Sequence, residues 1–529
     1  MIHSECTSTL DLVDDELGLS LLDIGRGVEK EGLRVTPKMG VAQTHHPESL
    51  GSTLTHDSIT TDYSEALLEF ITPVHTNVDD TISYLSNLHA FTLSNIGEEA
   101  IWPSSMPCKL EGDQSIPIAD YGTSNVGMLK HVYRQGLAVR YGRIMQSIAG
   151  IHYNFSLPDS FWKLYQKKFY ADLQSEQLQS LQDFKSTHYF SLIRNFRRYS
   201  WLLHYLFGAS PVLDSSFLNG REASEHGLQK LGENTWGLPY ATSLRMSDLG
   251  YQNSAQEDLH ISYNSLDEYI ETLSAAIEKP FEKYSEVGIK QDGNYVQINT
   301  NILQIENEYY SDIRPKRVTQ AGEKPVEALS DRGVEYIEVR ILDINPFLNE
   351  GLSSQQIRFM DAFLLYCLFS QCPSQSDTGC SETRSNQTAV ISRGRDPQLT
   401  LVRDGKKVKL KHAATELLDA IANIATVLDT AHQTFDYSSA VFAQQAKVDD
   451  PSLTPSGQMM KMVEQGNDFV DISFDQAKTQ KTHFTSIDSD AGFINRMRDA
   501  AKNSLASQKQ MESADTQSFG EFLEHYNNN

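Results

Sequence analysis

Alternation of polar and apolar positions marks three strong strands. Ile24 to Val35 reads IGRGVEKEGLRV, and on a strand Glu29 and Glu31 face the same way. Ile148 to Leu157, IAGIHYNFSL, sets His152, Asn154 and Ser156 opposite Ile151, Tyr153 and Phe155. Val334 to Phe347, VEYIEVRILDINPF, sets Tyr336, Glu338 and Arg340 opposite Ile337, Val339 and Ile341. Thr60 to Val74 alternates imperfectly and is stopped by Pro73. Tyr295 to Ile305 also alternates, with Gln297, Asn299 and Asn301 opposite Val296 and Ile298.

A helical period takes over elsewhere. It covers residues 1–23 through Leu10, Val13, Leu17 and Leu21, and Val78 to Ile96 ahead of Gly97. The basic, aromatic stretch Lys130 to Arg143, most of 160–208, Leu266 to Phe281, 351–370 and Ala413 to His432 read the same way. Pro239 to Asn253 has little periodicity and reads as a functional loop presenting Arg245 and Tyr251. Pro373 to Pro397, rich in Ser, Thr and Asp, reads as a mobile loop. The last third is helical and polar, with no catalytic constellation.

Charge removes some function classes. The 529 residues carry a net charge of −25, which argues against nucleic acid and anionic membranes as partners. No apolar run reaches the ~18 residues that span a bilayer, and the first residues lack a signal pattern, so a cytoplasmic location is expected. The five cysteines have no zinc spacing. Cys372 and Cys380 could pair if oxidised, but reduced thiols suit the expected compartment.

The polar faces carry the candidate chemistry. An isolated Glu-x-Glu pair is more often a wet strand edge than a metal site. Glu69 sits between Leu68 and Phe70, so it is either salt-bridged or metal-bound. Gathered on one concave sheet, Glu29, Glu31, Glu69, His152, Glu338 and Arg340 would form a multi-metal, phosphate-handling site. Carboxylates without thiolates point to Mg²⁺ or Mn²⁺. The residues by themselves reach a metal-dependent phosphoryl-transfer enzyme or ligase. No GxGxxG or GxxxxGK[ST] motif supports a Rossmann or P-loop site.

The segments IGRGVEKEGLRV, LTHDSITTDYSEALLEFITPV, WPSSMPC, YGTSNVG, GIHYNFSLP, YLFGASP, LPYATSLRMSDLGY, LQIENEYYSDIRPKR and GVEYIEVRILDINPF run in order over about residues 20–350. Together they closely resemble the proteobacterial type of glutamate–cysteine ligase. The resemblance implies an α+β fold with a glutamine-synthetase-like antiparallel sheet forming a funnel, surrounded by helices. It also implies one large ligase domain over 1–529, its site within about 20–350 and a mostly helical part over about 351–529. The implied reaction is ATP-dependent joining of glutamate to cysteine through γ-glutamyl phosphate, the first step of glutathione synthesis. By position, Glu29, Glu31, Glu69, His152 and Glu338 would hold metal, with Glu99 a weaker candidate. Arg245 and Arg340 would stabilise the phosphoryl group, and Asn154 and Ser156 would approach ATP. Tyr63, Tyr133, Arg134, Leu137, Tyr251 and Tyr310 would shape the cysteine pocket, Tyr63 replacing the phenylalanine expected in relatives. Feedback inhibition by glutathione and a monomeric state are further expectations. The alternatives are a related ligase with another amine acceptor, or a non-catalytic nucleotide-binding regulator.

Overall fold

The computed structural model describes residues 8–170, 179–249, 256, 259–320, 323–374, 377–487 and 490–528. Its central feature is a seven-stranded antiparallel sheet. The strands are β1 (Gly25–Val35), β2 (Ile59–Thr61), β3 (Leu67–Ile71), β4 (Ala100–Ile101), β5 (Ile151–Ser156), β6 (Ile313–Lys316) and β7 (Tyr336–Leu342). Their spatial order is β6-β7-β5-β1-β3-β2, and β4 pairs with the end of β1.

Residues in register share a face of the sheet. Val28 opposes Tyr153, and Tyr153 opposes Val339, so the apolar positions of three strands stack on the back. Helices cover that face. Helix Ser354–Phe369 brings Asp361, which takes the Arg26 Nε proton at 2.8 Å and the Tyr153 hydroxyl at 2.6 Å. Helix Val78–Leu93 brings His89 to within 2.7 Å of Lys30 Nζ, and burial pushes that lysine down to about 7. The two buried cations stand on the back of β1, facing away from Glu29 and Glu31. The α+β architecture is the expected one. Among the described residues no helix is long and apolar enough to cross a membrane.

Four sequence expectations change. Thr60 to Val74 is two strands, because Leu67 closes a turn onto the Ser64 carbonyl and Asp62 bonds back to Leu67. Tyr295 to Ile305 is not a continuous strand. Gln297 and Asn301 send their side-chain amides into the carbonyls of Tyr284, Gly288 and Ile277, and Gln297 accepts from Arg140, so these polar groups tie the segment to the helices around it. The polar run beyond Pro373 contains helix Asp377–Arg393, with Val390 and Ile391 buried and Asn386 bonded both ways to Val402. Tertiary contact there overrides composition. The first helix shrinks to Asp15–Leu19 behind a single 3₁₀ turn, Leu10–Leu12, while residues 1–7 lie outside the described residues. Cys372 is a buried thiol that donates to the Ser191 carbonyl at 3.2 Å.

Candidate active site

The front of the sheet collects the polar faces. One row across four strands reads Arg314, Glu338, Asn154 and Gly27. Further along β1, Glu29 opposes His152, and then Glu31 opposes Glu69, which opposes Thr60. The His152 ring sits in the middle. Its Nδ1 is 3.1 Å from Glu29 and 3.7 Å from Glu338, and its Nε2 is 3.9 Å from Glu31. Ligand atoms of Glu29, His152 and Glu338 lie within 4.8 Å of one another, as do those of Glu31, Glu69 and His152. Two potential cation positions thus share one imidazole. Among the described residues Glu69 makes no ion pair, so the salt-bridge alternative for it falls away.

Glu99 does not join this group. It pairs with Arg34 at 2.8 Å and accepts from Thr44, and Arg34 is on the opposite face of β1. Tyr251 lies outside the described residues.

The face is electrically divided. Burial works against ionisation of Glu338, yet Lys316, Arg340, His152 and Arg314 hold its carboxyl well below the usual range. At the other end, burial and then Glu29, Asp62 and Glu31 push Glu69 well up. Glu31 is raised too, by burial first and Asp62 next. One end of the row is rich in cations and the other in crowded acids.

Backbone devices aim the arginines. A bulge after Val339 breaks the β5–β7 register and turns Arg340 so that Nη1 lies 3.1 Å from Glu338. Arg245, 2% exposed, rides on a 3₁₀ turn, Leu244–Met246. Its Nη2 donates to the Arg340 carbonyl at 2.9 Å. Asp343 anchors that turn by accepting from the Ala209 amide and the hydroxyls of Ser210 and Ser243. The guanidinium lies where a side chain on Gly150 would be, and the Gly150 amide donates to Glu31 at 2.6 Å.

The remaining candidates border this face. Asn154 donates to Glu29 at 2.8 Å, and its side-chain carbonyl oxygen is buried without a partner among the described residues. Ser156 follows two positions along β5, opposite Gly25. Tyr133, Arg134 and Leu137 share helix Asn125–Tyr141. Arg134 donates to the Asp62 carbonyl, next to Tyr63, and lies 4.6 Å over the Tyr121 ring. Burial raises the Tyr133 phenol, with Glu308 and then Tyr310 adding to the shift. The Tyr310 hydroxyl accepts from Gln146 at 3.1 Å. Tyr63 is 1% exposed, and its hydroxyl has no partner among the described residues.

The family model described as glutamate-cysteine ligase matches residues 11–390. The chain belongs to the glutamate–cysteine ligase family. Glutamate–cysteine ligases of Hahella chejuensis and Pseudomonas aeruginosa are 51% and 52% identical to it, over 96% and 94% of this chain and 96% and 93% of theirs. A crystal structure of the Francisella tularensis glutamate–cysteine ligase in complex with AMP superposes with a TM-score of 0.88 at 38% identity, covering 96% of this chain and 98% of that one. A bifunctional glutathione synthetase from Pasteurella multocida matches with a TM-score of 0.70 at 25% identity, over 90% of this chain and 55% of that one. Membership in the glutamate–cysteine ligase family makes the chain an enzyme of ATP-dependent γ-glutamylcysteine formation.

Sequence reasoning missed four residues of this candidate site. Arg314 and Lys316 flank Pro315 on the edge strand and face Glu338 and Tyr336 across it. Their alternation in IRPK was the available signal. Asp343 and Gly150, at the ends of two strand motifs, gave no signal beyond their positions.

Proposed function

We propose that this sheet face phosphorylates the γ-carboxylate of L-glutamate with ATP and passes the acyl group to the amine of L-cysteine, giving γ-glutamylcysteine, ADP and phosphate. The observation that carries this reading is the opposition, on one buried face, of Glu29, Glu31, Glu69 and Glu338 to Arg340, Arg245 and Lys316, with His152 between them. Four carboxylates and one imidazole without a thiolate fit Mg²⁺, or Mn²⁺ in its place. The upward push on Glu69 from neighbouring acids supports the fit, since carboxylates at that density repel unless neutralised. When bound, the metal supplies charge neutralisation for the ATP phosphates and the developing transition state.

The chain's own groups do the rest. Arg340 and Arg245 hold the transferring phosphoryl oxygens through charge-assisted N–H bonds. Asn154 and Ser156, with Lys316 two strands away, line the approach of ATP. The glutamate γ-carboxylate oxygen attacks the γ-phosphorus, and the bond to ADP breaks. The product is a mixed anhydride whose phosphate is a good leaving group, which a free carboxylate lacks. The cysteine nitrogen then attacks the γ-carbonyl carbon, phosphate leaves, and the nitrogen loses a proton. Arg134 pairs with the cysteine carboxylate, while Tyr63, Tyr133, Leu137 and Tyr310 enclose its side chain. Holding the reactants in line supplies much of the acceleration. Glutathione carries a γ-glutamylcysteinyl unit, so it occupies both substrate places and competes with glutamate.

Phosphate release dependent on ATP and glutamate, compared across cysteine, other amino acids and ammonia, tests this. Preference for cysteine is expected. Equal rates with all amines would refute the acceptor assignment.

A further inference from the structure

The family model ends at residue 390, yet the end of the chain folds back onto the pocket assigned above to the amine acceptor. Two segments lead into the residues of that pocket. One is the stretch before β2, residues 51–55, which leads through Thr60 to Tyr63. The other is the turn Tyr121–Ser124, which opens the helix carrying Tyr133, Arg134 and Leu137. Helix Ala491–Ala514 touches both. Ser504 Oγ accepts the Ser52 amide at 3.0 Å, and the Ser504 carbonyl accepts the Thr55 hydroxyl at 2.6 Å. Gln508 takes the Ser52 hydroxyl and, with Glu512, packs against Gly122, where a Cβ would force the ends of both side chains to move. Gly122 also has φ +80°, a backbone conformation that favours glycine at this crossing.

The chain then caps the acceptor helix. Glu512 accepts the Thr123 amide at 2.9 Å, and Asp515 accepts the Asn125 amide. Both acids stand at the positive end of the helix, where a carboxylate is favoured. Helix Phe519–Asn528 follows, and its Phe519 and Leu523 form a small separate core with Val132 and Ile298. Tyr133 packs against this cluster and against the main core. The side chain next to Val132 in sequence is therefore braced from behind by the end of the chain.

We infer that residues 491–528 act as a positioning strap, fixing the Tyr63 side of the acceptor pocket against the Tyr133–Arg134–Leu137 side and so setting the affinity for the amine substrate. The inference rests on the acceptor assignment proposed above. Glutamate and ATP, held on the sheet face, do not depend on the strap.

The test replaces Phe519 and Leu523 by alanine in the full-length enzyme. KM is measured separately for cysteine, glutamate and ATP, together with ADP formation from glutamate in the absence of an amine. Amide hydrogen exchange over residues 125–141 is followed in parallel. The expected result is a roughly ten-fold rise in the cysteine KM, as for a binding group displaced by under an ångström. The other two KM values and the amine-free reaction stay within two-fold, and the acceptor helix exchanges faster. An unchanged cysteine KM, or equal rises for all three substrates, overturns the strap. Arg134→Ala in the same assay separates the two claims. If it raises the cysteine KM while the Phe519/Leu523 variant does not, the strap fails and the pocket stands. If neither raises it, the acceptor assignment fails and takes the strap with it. The pair Glu512→Gln and Asp515→Asn, which leaves the apolar packing intact, should move the same KM in the same direction by less. It decides the matter if the alanine variant does not fold.

Discussion

One methyl group at Gly150 tests how Arg245 reaches the reacting groups. A Cβ there would stand 2.6 Å from Arg245 Cζ and 2.9 Å from its Nε. Carbon atoms in contact keep ~3.5 Å apart, so the guanidinium must retreat by roughly 1 Å. Retreat has a cost, since Nη2 donates to the Arg340 carbonyl at 2.9 Å and Nη1 lies 3.7 Å from Asp343. Displacing a positioning group by about 1 Å costs on the order of 10²-fold in rate, or ~2.7 kcal/mol of transition-state stabilisation. The Gly150 amide, which donates to Glu31, survives in alanine, so the substitution isolates the clash. The assay is cysteine-dependent ADP formation, with kcat/KM for ATP compared among Gly150→Ala, Arg245→Ala and the double variant. The single Gly150 change should lose about 10²-fold. On the Arg245→Ala background it should lose nothing further, because the displaced group is gone. Additive losses, or near-normal activity in the Gly150 variant, would refute the reasoning.

Glu338→Gln keeps the volume but removes the charge that faces Lys316, Arg340 and Arg314. Turnover should fall by about 10²-fold or more while cooperative unfolding persists, and near-normal turnover would remove Glu338 from the site. Tyr63→Phe deletes a buried hydroxyl that has no partner among the described residues. Urea unfolding should show a gain of about 1 kcal/mol, and a loss would mean that the hydroxyl is bonded in solution. Burial lowers His188 to about 4, so its contribution is present in full above pH 6.5 and is lost as pH falls from 6.5 to about 4. His188→Gln should remove up to ~3 kcal/mol of the stability lost between pH 6.5 and 4, and an unchanged slope would contradict the shift.

The parts of the fold that read well from the sequence were those where one face is buried and the other is polar. β1, β5 and β7 follow that pattern, and His152, Glu29 and Glu338 came with it. Periodicity fails where polar groups bond to neighbouring helices, as Gln297 and Asn301 do, because the same alternation then serves a different purpose. It fails again at Asp377–Arg393, a helix whose stability comes from contacts with Val402 and neighbouring elements. Which strands adjoin is not written locally either. Without the β6–β7 register, Arg314 and Lys316 were only a basic cluster, and without the fold of the 243–247 turn nothing linked Gly150 to Arg245. Glu99 was a weaker ligand candidate by its position in the family resemblance, and its pairing with Arg34 puts it on the other side of the strand.

Anomalous diffraction from crystals grown with Mn²⁺ and a non-hydrolysable ATP analogue tests the central claim most directly. The account predicts ions ~2.1 Å from carboxylate oxygens, one held among Glu29, His152 and Glu338 and another among Glu31, Glu69 and His152, with Arg340 on the nucleotide's terminal phosphate. Ions bound elsewhere, with this sheet face holding none in the presence of the nucleotide, would contradict it.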